Sequence, residues 1–369
     1  MERTSRSNLS MKFISILTSV SKGWLHQEGG FDFAEEYYLE PLFRQEQDQK
    51  IDIFLNKRFP DYAIYNLESN LVQPGFWQPD VVYVGGIQPN LILGACLGAD
   101  FIFYPDKDMD LANASSLGQI QSVADLPTPE EVLSSSLIKF FDRQLIEVKE
   151  LHPEFTVIPP FFWDTSGRAT IHGFITTAQK FYGEDIFIRI YDNPEFVRAF
   201  HEWIVEVYIA LIQHFSALGG IPVSSVHIGE CSGTMIREKH YGEYVVPYAS
   251  RLGRELGPVR LHSCGKSDHL LPVIAQIENL GVLDTGSNTS VAAIRKILGG
   301  IQIDIAPPVE RLKDSAKKDQ INNWLDRVLR ENRDGRMTIN FHLEPGYSLE
   351  NCLAIHDILS ERGLIRRGR

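Results

Sequence analysis

Short runs of branched and aromatic residues recur along this chain, each followed by a stretch long enough for a helix, and that alternation restricts the fold more than any other feature. The runs are Val81-Val82-Tyr83-Val84, Phe101-Ile102-Phe103-Tyr104, Phe155-Thr156-Val157-Ile158, Ser225-Val226-His227-Ile228, Arg260 to Cys264, Val282 to Asp284, Ile301 to Ile305 and Thr338 to His342. Strands separated by helices pair in parallel, and eight of them in a chain of 369 residues predict an α/β fold of the (β/α)8 barrel type. Residues 76–369 are expected to form the barrel, and residues 1–75 an N-terminal helical extension.

Helix signals agree with that division. From Phe31 to Phe59 charged residues interleave with Tyr37, Phe43, Ile51, Phe54 and Leu55 at helical spacing, with Pro41 opening a second helix. Pro127-Thr128-Pro129-Glu130-Glu131 puts proline and acids where a first turn wants them. Asn193-Pro194-Glu195 starts the clearest helix, whose apolar face runs through Phe196, Phe200, Trp203, Ile204, Val207, Leu211 and Phe215 and stops at Gly219-Gly220. Arg3, Arg6 and Lys12 ahead of Phe13-Ile14-Ser15-Ile16-Leu17 faintly imitate a signal peptide, but without a small-x-small cleavage site a helix or a ragged start is expected there.

Composition excludes several classes of partner. The net charge of −12 comes without a basic stripe, which argues against nucleic acid. No run of 18 apolar residues is present, so no membrane span is expected. Cys96, Cys231, Cys264 and Cys352 are too few and too scattered for a disulfide framework, which points to a reducing, cytoplasmic setting.

In barrels of this kind the chemistry sits at the carboxyl ends of the strands. Asp164, Glu230, Cys231, His262, Cys264, Asp284, His342 and Glu344 are therefore expected at one mouth. Within Pro258-Val-Arg-Leu-His-Ser-Cys-Gly-Lys266, His262 and Cys264 lie two apart on a strand and project to the same side. Two readings stand open on that spacing: a half-site for zinc, or a hydrogen-bonded core histidine beside a small buried cysteine.

Pro258 to Gly265, followed by a helix and Gly281-Val282-Leu283-Asp284, resembles the central motif of the uroporphyrinogen decarboxylase superfamily. That superfamily includes the decarboxylase of haem biosynthesis and the zinc-dependent methyltransferases that move methyl groups between corrinoid proteins and thiols. The resemblance runs from about Asp80 to Gly363, and its most specific element is His262-Ser263-Cys264-Gly265. It implies zinc at His262 and Cys264, catalytic carboxylates at Glu230 and Asp284, and cofactor contacts at Asp164 and Cys231. For Glu230 the residues also allow a surface pairing with Arg237 or Lys239.

The chain departs from the family at three places. Aligning Ser348-Leu349-Glu350-Asn351 on the family's helix start puts Phe341 where the methyltransferases carry a further cysteine ligand, so His342 or Glu344 is expected to replace it. Cys352 falls inside that helix and is not expected to be a ligand. Trp163-Asp164-Thr165-Ser166-Gly167 and Thr176-Thr177-Ala178 only approximate the family's Gly-Pro-Phe-Thr turn. Finally, the first 60 residues hold no Arg-Gln-Ala-Gly-Arg-Tyr segment, which in the haem-pathway decarboxylases grips substrate carboxylates, and this argues against porphyrin decarboxylation.

The resemblance thus implies a zinc-dependent methyltransferase acting between a partner corrinoid protein and a small thiol. The other reading is a barrel that serves a different small molecule, as a lyase, a decarboxylase or a binding protein.

Overall fold

The computed structural model describes residues 14–65, 77–112, 117–315, 317–333 and 335–366. Twelve strands are present among these residues: β1 (Ile14–Val20), β2 (Ile64–Tyr65), β3 (Val81–Tyr83), β4 (Asp100–Ile102), β5 (Asp110–Ala112), β6 (Thr156–Ile158), β7 (Arg168–His172), β8 (Ser225–Gly229), β9 (Val259–Ser263), β10 (Leu280–Thr285), β11 (Gln302–Ile305) and β12 (Met337–Leu343). Eight of them form one sheet in the order β2-β1-β12-β11-β10-β9-β8-β7, every neighbouring pair parallel. With helices between successive strands this is the expected (β/α)8 barrel architecture.

Which runs supply the strands differs from the expectation in instructive ways. Residues 14–20 form a strand, not a helix or ragged start, and β1 pairs along its whole length with β12. The barrel sheet therefore draws two strands, β1 and β2, from the segment expected to be a helical extension. Ser15, Thr18 and Ser19 interrupt the apolar pattern there, which conceals a strand built on Ile14, Ile16 and Val20. Three helices do follow it, at Lys22–Gly29, Glu35–Leu39 and Pro41–Arg58, the last opened by Pro41 as its first-turn proline. The basic residues of the signal-like segment, with Phe13, lie outside the described residues.

Two of the expected barrel strands pair apart from the main sheet: β3 with β6, in parallel. A third, near Phe101, makes the antiparallel hairpin β4–β5. Their places are taken by β1, β2 and β7, the last with the sequence Arg-Ala-Thr-Ile-His, too polar to read as a barrel strand. The polarity has a cause. Arg168, Thr170 and His172 face the barrel interior, in register with His227 and Gly229 of β8, while Ala169 and Ile171 are fully buried on the opposite face of the strand.

The helix Pro194–Gly219 forms as its sequence predicts. Asn193 accepts a hydrogen bond from Phe196 N at 3.2 Å, and Gly220 ends the helix at φ 72°, a left-handed conformation glycine adopts without strain. Phe200, Ile204, Val207, Leu211 and Phe215 are fully buried, so the aromatic stripe is core. Among the described residues, no helix is long and apolar enough to cross a membrane.

Candidate metal centre

The carboxyl ends of β7 to β10 are stitched together past the last ladder bonds. Gly173 N donates to Gly229 O at 2.9 Å, Glu230 N to His262 O at 2.9 Å, and Gly286 N to Ser263 O at 3.4 Å. The loops leaving these strands are thereby held side by side at the mouth. Cys231 leaves β8 next to the end of β9, because Gly229 is the register partner of His262.

Ligand atoms of Cys231, His262 and Cys264 all lie within 4.8 Å of one another, and among the described residues no other group of histidine, cysteine and carboxylate side chains converges in this way. Cys264 is exposed, while the other two are half-buried. Two sulfurs and an imidazole form a soft donor set of the kind zinc takes, and three such ligands would leave a fourth tetrahedral position for another group.

The surroundings fix the histidine. Its Nδ1 lies 2.6 Å from Asp284 Oδ2, so Nε2 is the nitrogen left for a metal. Asp284 is held in turn by Arg260 Nη2 at 2.8 Å and by Asn340 Nδ2, which donates to Oδ1 at 3.1 Å. Burial opposes protonation of His262, but the charge and hydrogen bond of Asp284, with a further hydrogen bond to Cys264, lift its pKa to about 9. Hydrogen bonding from Cys231, then from His262, holds the Cys264 thiol well below its ordinary range; the same contact and burial push Cys231 up. The metal-free pair thus shares one proton, with the thiolate on Cys264.

Glu230 is placed differently from either expectation. It is fully buried, pairs with neither Arg237 nor Lys239, and occupies the N-terminus of the helix Phe174–Tyr182, accepting from Ile175 N at 3.3 Å, Thr176 N at 2.9 Å and Thr176 Oγ1 at 2.9 Å. Burial raises its pKa to about 7 despite those hydrogen bonds. Ser232 N donates to Thr176 Oγ1 at 3.1 Å and Ser232 Oγ to Gln179 Oε1 at 2.5 Å. One helix therefore grips both neighbours of Cys231, and Glu230 positions that cysteine.

Three expected site residues are not part of the cluster. His342 faces β1, its Nδ1 hydrogen-bonded to Ser19 Oγ. Glu344 is hydrogen-bonded to Ser21, and burial raises its pKa. The expected histidine or glutamate replacement for the family's missing cysteine is thus not what the geometry offers; Cys231, expected only as a cofactor contact, stands in its place. Asp164 lies at the other end of the barrel, in the turn that leads into the start of β7, where its Oδ1 accepts from Ser166 N at 2.9 Å. A strand at Phe155 running straight into a mouth loop would place Asp164 there; the chain instead reverses between β6 and β7, with Phe162 bridged antiparallel to Ala169.

Residues 174–338 match the family model of uroporphyrinogen decarboxylase (URO-D), a span that holds Glu230, Cys231, His262, Cys264 and Asp284. No curated protein matches. Among solved structures, a methyltransferase from Methanosarcina mazei superposes with a TM-score of 0.62 at 12% identity, covering 96% of this chain and 95% of that one. A B12-independent methionine synthase from Shewanella sp. W3-18-1, in complex with selenomethionine, gives 0.44 at 10% identity, with 95% and 96% covered. At these identities the first likeness supports the barrel and the second carries no argument. The match over residues 174–338 agrees with the resemblance to the uroporphyrinogen decarboxylase superfamily carried by His262-Ser263-Cys264-Gly265.

Proposed function

We propose that the protein is a zinc-dependent methyltransferase that delivers a methyl group from a corrinoid carried by a partner protein to a small thiol. The observation that supports this reading is the Cys231, His262 and Cys264 cluster at the barrel mouth, with ligand atoms within 4.8 Å of one another and one tetrahedral position left open. A zinc ion held there would supply Lewis acidity, lowering the proton affinity of a thiol that enters the open position.

The remaining work belongs to the chain. Asp284 keeps the His262 ring turned with Nε2 toward the cluster, and Arg260 and Asn340 keep Asp284 in place. Cys264, the exposed member, borders the approach from solvent, while Glu230 and the helix Phe174–Tyr182 hold Cys231 behind it. The acidic surface implied by a net charge of −12 suits a partner with a basic face around its corrinoid.

The test is direct. Zinc-loaded protein is mixed with methylcobalamin and a panel of small thiols, and loss of the methyl–cobalt bond is followed by absorbance while the thioether is identified by mass spectrometry. Thioether formation that requires zinc and disappears in Cys264→Ala is the expected result. Zinc-loaded protein with no thioether above the rate in Cys264→Ala would turn the assignment toward another small-molecule reaction on the same barrel.

A further inference from the structure

Near the Cys231, His262 and Cys264 cluster, the barrel interior holds hydrogen-bond donors that have no acceptor among the described residues. Arg168 Nε, Thr170 Oγ1 and His227 Nε2 are all buried and, among the described residues, have no hydrogen-bond partner. They belong together in space. Thr170 and His227 are register partners on β7 and β8, and Arg168 stands two residues before Thr170 on the same inward face.

The protonation of His227 follows from its neighbour. Arg260 Nη1 lies 2.6 Å from His227 Nδ1, and a guanidinium can only donate, so Nδ1 is the acceptor and the ring proton is on Nε2. His227 Nε2 is therefore an N–H donor, not a lone pair, and it has no acceptor among the described residues. Arg168 Nε–H and the Thr170 hydroxyl complete a set of donors without an acceptor. Such groups are costly to bury unpaired.

The nearby carboxylates are committed elsewhere. Asp284 and Asp304 both contact Arg260 Nη2, at 2.8 and 3.0 Å, and Asp304 Oδ1 also accepts from Gln302 Nε2 at 3.0 Å. Among the described residues Arg168 makes no ion pair; its guanidinium instead lies 4.1 Å from the centroid of the Trp163 ring. Burial and the neighbouring Arg260 hold the pKa of Arg168 down to about 9, outweighing Asp164, Asp304 and Asp284. The same surroundings keep His227 neutral, through burial and then Arg260 and Arg168. This part of the interior is thus rich in donors that lack acceptors.

We propose that this interior compartment binds a small monovalent anion, a carboxylate or a halide, through Arg168 Nε, Thr170 Oγ1 and His227 Nε2. A planar carboxylate suits it best, since two oxygens can accept from donors on two strands at once. Gly229 places no side chain between its register partners His172 and His262 on the side of the mouth.

Crystals grown without halide and soaked in bromide test the site. The expected result is an anomalous peak within hydrogen-bonding reach of Arg168 Nε, Thr170 Oγ1 and His227 Nε2; water at that position and no bromide signal overturns the proposal. In solution, formate should raise the melting temperature of the wild-type protein, with affinity about tenfold weaker in Thr170→Val and lost in Arg168→Met. Equal formate stabilisation in all three proteins also overturns it. Longer monocarboxylates distinguish the source of the anion: stabilisation by formate alone assigns a free ion, and stabilisation by propionate and butyrate as well assigns the carboxylate end of a larger molecule entering from the mouth.

Discussion

His262 Nδ1 and Asp284 Oδ2 lie 2.6 Å apart at the ends of neighbouring strands β9 and β10, in register with each other. The pairing sets the tautomer, because a carboxylate that accepts a hydrogen bond from Nδ1–H leaves Nε2 as the nitrogen that can meet a metal. Asp284 cannot turn away, since Arg260 and Asn340 hold both its oxygens. The histidine is thus oriented by three side chains drawn from three strands before any metal arrives.

Asp284→Asn is expected to weaken zinc binding by about ten- to a hundredfold without abolishing it, because the ligands remain while the group that orients one of them loses its charge. Competition against a chromophoric chelator measures this. Affinity equal to wild type would show that the 2.6 Å contact does not tune the site.

Cys231 and His342 give opposite expectations. Cys231→Ser should lose most zinc affinity, as should His262→Ala and Cys264→Ala, since each removes one of three ligands. His342→Ala should bind zinc as the wild type does, because that ring bonds Ser19. Metal content after dialysis reads out all four variants, and zinc lost from His342→Ala but kept in Cys231→Ser would reverse the ligand assignment.

What the sequence reveals of this site depends on whether a relationship is local. His262 and Cys264 are legible because a strand puts residues two apart on one side. Cys231 as their partner is not, because it depends on the register that places Gly229 opposite His262, and no spacing within one segment encodes a register between two. Asp164 misleads for a related reason: the chain reverses after β6 and enters β7 from the far end of the barrel, so the residue faces away from the mouth. The polar strands β1 and β7 are concealed because this barrel fills its interior with charged and hydroxylated side chains, and the apolar signal survives only on the outward face. Glu230 reads as a catalytic acid or a surface carboxylate, and its actual place at a helix N-terminus appears only once β7 and β8 are adjacent.

Gly286 offers a test of how rigidly the loop holding Cys264 is placed. A Cβ at this position would lie 2.1 Å from Cys264 O and 3.0 Å from its carbonyl carbon, contacts with backbone that no rotamer change relieves. Gly286→Ala should therefore displace Cys264 and reduce zinc affinity. Cys264 alkylation in the metal-free protein gives a second readout, and unchanged values in both would show that the loop yields without moving the sulfur.

His201 determines part of the acid stability, and the sign follows from its burial. The ring is fully buried in the helix Pro194–Gly219, its Nδ1 donates to Tyr244 O at 2.8 Å, and among the described residues its Nε2 has no partner. Burial outweighs that backbone hydrogen bond and lowers its pKa to about 4, against about 6.5 in an unfolded chain. At pH above about 6.5 both states hold a neutral ring and the full stability is present. As pH falls from there toward about 4, the unfolded chain takes up a proton that the folded chain refuses, so stability drops. The slope over this window is at most about 1.4 kcal/mol per pH unit for one such group. His172 and His356 are depressed as well, to about 3 and about 4, so the total acid sensitivity is not assigned to one residue by a single profile. The difference between two profiles does assign it. His201→Gln keeps a donor for Tyr244 O but cannot titrate, and its unfolding free energy, measured by urea titration at half-unit steps of pH, should fall less steeply than that of the wild type between about pH 6.5 and 4. Parallel profiles across that window would show that His201 is protonated in the folded protein after all.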